Sequence, residues 1–172
     1  MSPTAKGYTY KVRSMGSPDD GFFAFERDFA SSMVCIPMAV RLKLDECGIK
    51  VSLKEWIKLL PEERQRLLAE PAASPDQRGE FAAQVRQLIT ARLGTAPASL
   101  EVPNDSPWNR TTEVPQEIAE KAAAEGISIT VDSWAALSPL QRFALLKLCR
   151  PRHKNENFRP ACHEFGLIAE DR

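Results

Sequence analysis

Apolar residues recur along this chain at helical spacing, in short blocks separated by proline, glycine and serine. In "IPMAVRLKLDECG", residues 36–48, Val40, Leu44 and Cys47 share one face of a helix that Gly48 ends. The next block, "VSLKEW", offers Ser52 as a helix cap and Glu55 as the second half of a capping box, with Val51 and Trp56 placed as a hydrophobic staple. A third helix is predicted from Pro61. "SPDQ", residues 74–77, caps a longer helix running to Gly94, with Phe81, Val85, Leu88 and Ile89 as its apolar face.

Much of this pattern is written twice. "GIKVSLKEWIKLLPEERQRLL" (48–68) returns 78 positions later as "GISITVDSWAALSPLQRFALL" (126–146), and the match extends back over 36–48 and 114–126. Of 33 aligned positions ten are identical, where average usage gives roughly two. Pro37 and Pro115 suit a first helical position, and Gly48 and Gly126 suit the left-handed residue after a helix. Trp56 and Trp134 are expected to lock a helix entry and fill core. Arg64 and Arg142 are expected to bond carbonyls at a neighbouring helix end or to stack on the tryptophan of their own copy. In the second copy Ile118 and Ala122 mark the buried stripe, Thr130 is a cap, and Ser138 with Gln141 forms a capping box. Leu60 stands where Ser138 does, so that helix start should be weaker by about 1 kcal/mol.

Outside the repeat, Asn157 is placed to cap "FRPACHEFG", with Phe158, Ala161, Cys162 and Phe165 in one stripe and Gly166 as the stop. Phe22, Phe25, Phe29 and Met33 fit a helix, while "YTYKVR" alternates like a strand. Residues 94–115 are rich in proline and turn formers and read as a surface connector anchored by Trp108. The expected architecture is all-α. One compact helical domain, 19–168, is built from two pseudo-repeated units, about 36–93 and 114–166, packed face to face. A loose segment, 1–18, precedes it and a tail, 169–172, follows. Two copies at this period do not make a solenoid.

Charge narrows the function. The 172 residues carry 23 Lys and Arg against 23 Asp and Glu, a balance that argues against nucleic-acid binding by bulk charge. The start has no apolar core of the kind a signal peptide needs, and the run "MVCIPMAV" is far short of a membrane span. The expectation is a soluble cytoplasmic protein with no membrane contact. Cys35, Cys47, Cys149 and Cys162 form no C-x-x-C pair and read as reduced thiols.

One polar cluster stands out: "CRPRHKNENFRPACH", residues 149–163. Arg150, Arg152, His153, Lys154 and Arg159 surround Asn155 and Asn157 in a loop that leads to a helix start, a setting for an anion or an acidic partner. Its plainer reading is a solvated connector. Cys149, His153, Cys162 and His163 make a weaker set of metal ligands, since their spacing is not that of a zinc finger and neighbours on a helix diverge by about 100°. Phosphate-loop, dinucleotide, zincin and nucleophile-elbow motifs are all missing. No catalytic residue is assigned, and a nucleophilic Cys35 or Cys149 with His153 as base has no further support in the sequence.

In "FAFERDFA" (23–30), "CIPMAVRLKLDECGIKVSL" (35–53) and "LSPLQRFALLKLCRPRHKNENFRPACHEFGL" (137–167) the chain resembles the bacterial nitrate reductase-associated protein family, over about 22–168. That resemblance implies a place beside assimilatory nitrate reductase and molybdenum-cofactor genes, and a part in producing active nitrate reductase. It brings no catalytic residues. The resulting expectation is a non-enzymatic accessory protein that assembles, loads or stabilises nitrate reductase, with the reductase or a molybdenum-cofactor protein as partner. No resident cofactor is expected. The alternative is a carrier that holds molybdenum cofactor, another anion or a metal transiently in the 149–163 loop. The oligomeric state stays open.

Overall fold

Short-range side-chain capping decides where four of the helices start. The computed structural model describes residues 20–150 and 156–168, so "YTYKVR", the segment 1–18 and the tail 169–172 lie outside the described residues. The elements are α1 (Arg27–Ala30), α2 (Met38–Glu46), α3 (Leu53–Trp56), α4 (Pro61–Ala69), α5 (Pro75–Leu93), α6 (Gln116–Ala124), α7 (Val131–Ala136), α8 (Pro139–Leu148) and α9 (Phe158–Glu164). Single 3-10 turns occupy Ala24–Glu26 and Pro107–Asn109. The fold is predominantly helical. A small sheet pairs β1 (Ile49–Lys50) antiparallel with β2 (Ala98–Ser99), placing Ile49 opposite Ser99.

The starts of α2, α3 and α4 lie 78 residues before those of α6, α7 and α8. Ser52, Ser74, Thr130 and Ser138 each accept the backbone N–H three residues on, as their spacing predicts. Pro37 and Pro115 sit one position earlier than expected. They are the caps of α2 and α6, held outside the helix by extended ψ angles of 151° and 141°, and their carbonyls accept from Arg41 and Ala119. Asn157 occupies the cap position of α9, but its own backbone is already helical and its side chain makes no cap bond.

Gly48 is needed twice over. Its φ is +65°, and a Cβ there would lie 2.9 Å from the Leu100 carbonyl oxygen, where the connector closes on β1. Gly126 has the same hand, φ +69°, with open space around it.

The described residues form two apolar clusters. Val40, Leu44, Trp56, Phe81, Val85 and Ile89 pack in the first, and Ile118, Trp134, Phe143, Leu145, Phe158 and Cys162 in the second. Each large side chain so buried contributes roughly 1.5–3 kcal/mol. Helices α2 and α8 join the halves, with Met38 of α2 reaching into the second core. The phenylalanine segment is helical only in two single turns. It buries Phe23, 4.9 Å from the ring of Phe165, and leaves Phe29 exposed. Beyond it Met33 adopts φ +59°, so no continuous helix joins Phe22 to Met33.

Candidate functional site

The tryptophans and arginines at matching positions of the two halves hydrogen-bond within the fold. Trp56 and Trp134 are almost wholly buried, and their indole N–H groups donate to the carbonyls of Met33 (2.8 Å) and Arg110 (3.0 Å). Arg64 donates to Met33 (2.6 Å), and Arg142 to Trp108 (2.6 Å) and Leu137 (2.5 Å). Both arginines hold carbonyls: Leu137, bonded by Arg142, caps the end of α7, whereas Met33, bonded by Arg64, lies beyond the end of α1.

Around the 149–163 segment the first features are the end of α8 and a cleft beside it. This cleft, about 220 Å³, is bounded by Trp108 of the connector, Glu117 of α6, Phe143 and Lys147 of α8, and Cys149 and Arg150 beyond the helix. Trp108 meets Phe143 edge to face at 5.2 Å, which pins the connector over α8. Lys147 pairs with Asp45 of α2 at 2.5 Å and lies 4.8 Å from the Phe143 ring centre. Burial draws its pKa below the usual lysine range, although Asp45 opposes that shift.

Arg152, His153, Lys154 and Asn155 lie outside the described residues. Arg159 donates to the Glu125 carbonyl at the end of α6, 2.8 Å away. Helix α9 is only seven residues long, so its dipole is a small resource for an anion. Cys162 is buried in the second core while His163 beside it is exposed. Burial pushes the thiols of Cys149 and Cys162 up to about 12, so both are protonated at neutral pH, poor nucleophiles and poor metal ligands in this state. Among the described residues no group of three or more His, Cys, Asp or Glu is arranged to hold a metal ion, and no helix is long and apolar enough to cross a membrane.

Two carboxylates, Glu26 buried and Glu164 exposed, escaped sequence reasoning. Glu26 is 1% exposed and accepts from the backbone N–H groups of Phe23 (3.1 Å) and Met38 (3.0 Å). It supplies α2 with the cap that Pro37 has no side chain to give. Burial raises its pKa, against those two hydrogen bonds. Glu164 of α9 accepts from Ala24 (2.7 Å) and Phe25 (3.0 Å), tying the first turn to the last helix. No local signal marks either residue.

The family described as conserved nitrate reductase-associated protein matches residues 22–165. Comparison with curated proteins and with solved structures gives no match. The chain belongs to the nitrate reductase-associated family, whose name links it to nitrate reductase.

Proposed function

We propose that this protein is a non-enzymatic accessory protein of assimilatory nitrate reductase, acting by contact in assembly, cofactor loading or stabilisation. The family match over 22–165 carries this reading. Local chemistry favours contact over catalysis: the thiols at 149 and 162 are held protonated, and Lys147 is engaged by Asp45. The cleft beside α8, at about 220 Å³, is below the roughly 300–1,000 Å³ of common small-molecule sites. It suits an inserted side chain better than an enclosed cofactor.

Testing starts with tagged protein purified from nitrate-grown cells. Nitrate reductase should co-purify, and a deletion strain should lose reductase activity. No association together with normal reductase activity in the deletion strain would overturn the reading. A transient carrier of molybdenum cofactor or another anion is the second reading, favoured by the aromatic and cationic lining of the cleft, Trp108 with Arg150. Under it, Arg152→Ala and Arg159→Ala should weaken phosphate or pterin binding, and unchanged titrations would remove it.

A further inference from the structure

We propose that the apolar ridge formed by Leu53, Ile57 and Leu60 is a docking surface for a protein partner that presents an apolar depression rimmed by carboxylates. These side chains are 48%, 47% and 46% exposed. The backbone stays helical past α3, with Ile57 bonding back to Leu53 and Leu59 to Trp56. Positions 53 and 57 therefore share one stripe, away from buried Trp56, and exposed Leu60 follows at the extended cap of α4. Lys54 and Lys58 follow one position later, about 100° further round, and Lys50 stands just before them. All three are exposed, and none is in an ion pair with a described residue.

The second half of the chain supplies an internal control. Residues 78 positions on start a helix at the matching place, α7 running two residues longer than α3, with different surface chemistry: Val131, Ala135 and Ser138 replace the ridge, and Ser128, Asp132 and Ala136 replace the lysines. Ser138 caps α8 with its side chain, whereas Leu60 at the start of α4 cannot and stays in water. An exposed leucine in place of a stabilising cap points to a use outside the folded chain. The lysine row selects the partner. A symmetric self-contact would gather the lysines of both copies into one interface, and a helix of one turn is too short to lie along a membrane. A carboxylate-rimmed protein surface satisfies both the ridge and the charge.

Nitrate reductase is the first probe, a choice that rests on the proposed function. Purified reductase is titrated with wild-type protein, with Leu53→Asp plus Ile57→Asp, with Lys54→Glu plus Lys58→Glu, and with Val131→Asp as control, after matching melting curves establish folding. Both patch variants should weaken binding at least ten-fold, Val131→Asp less than two-fold, and wild-type binding should fall as salt rises. Reductase binding that the patch variants leave unchanged overturns the docking surface and spares the accessory role. If wild-type protein does not bind the reductase, the contact reading fails, and complementation of the deletion strain decides the surface. A folded patch variant that restores growth on nitrate overturns it; failure alongside a working Val131→Asp upholds it with another partner. Patch-dependent dimers in sedimentation, or patch-dependent binding to anionic phosphatidylserine vesicles, also overturn it.

Discussion

Trp56 and Arg64 donate to one and the same oxygen, the carbonyl of Met33, at 2.8 and 2.6 Å. Met33 carries a positive φ, +59°, that a methionine rarely adopts. Two donors from α3 and α4 fix that strained residue and close the chain over the first core. Either donor alone keeps the buried carbonyl paired. Trp56→Phe and Arg64→Ala should therefore each cost less than their combination, with the double variant exceeding the sum by about 1–2 kcal/mol. Urea denaturation of the four proteins measures the coupling, and simple additivity would contradict a shared acceptor.

Glu26 is predicted to matter far more than a surface glutamate. Glu26→Ala leaves the Phe23 and Met38 N–H groups without their acceptor and should destabilise by roughly 2 kcal/mol. Burial raises the folded-state pKa above the unfolded one, so the folded state holds the proton more tightly. Its contribution is then greatest below the ordinary glutamate range and is lost as pH rises through the folded value. The stability gap between wild type and Glu26→Ala should narrow from pH 4 toward pH 7, as thermal melts across that range would show.

Leu60→Ser offers α4 the cap that Ser138 gives α8. Glu63 already accepts the Leu60 N–H at 2.8 Å, so half of the capping box is in place. A gain of about 1 kcal/mol is expected, read as a raised melting temperature, accompanied by weaker partner binding.

The Lys147–Asp45 pair joins α2 to α8 with side chains 16% and 21% exposed. Asp45→Ala leaves an ammonium half-stranded between the two cores and should cost roughly 2–3 kcal/mol, below the range of fully buried pairs. Adding Lys147→Met should recover most of that loss in a denaturant titration. Equal destabilisation in the single and double variants would show that the charge itself is not the cause.

Cys149 and Cys162, with thiols pushed up to about 12, should react slowly with iodoacetamide at pH 8 in the folded protein. Unfolding in guanidinium should accelerate both by at least ten-fold. Cys149→Ser should leave reductase activity in complemented cells unchanged, and lost activity in a folded variant would instead make the thiol a functional group.

The sequence by itself determined the helical class and most helix boundaries, because their instructions are local. Ser52 finds its acceptor role three residues on, Trp56 sits one turn beyond its cap, and Gly48 ends a helix through its own φ. It also exposed the matching starts of the two halves and the carbonyl-binding role of the arginines. The candidate site was less legible. Arg159 turns out to hold the end of α6, and Cys162 belongs to the second core.

Only the tertiary structure decided that Glu26 caps α2, that Glu164 grips the first turn from 140 residues away, and that Lys147 meets Asp45 across 102. Those partners are charged residues whose neighbours in sequence do not say which distant group each will meet. Their pairing depends on where the backbone brings them, through the positive φ of Met33 and the crossing of α2 with α8. Capping and periodicity are properties of a few consecutive residues, whereas a buried carboxylate acquires its role from groups the local chain never meets.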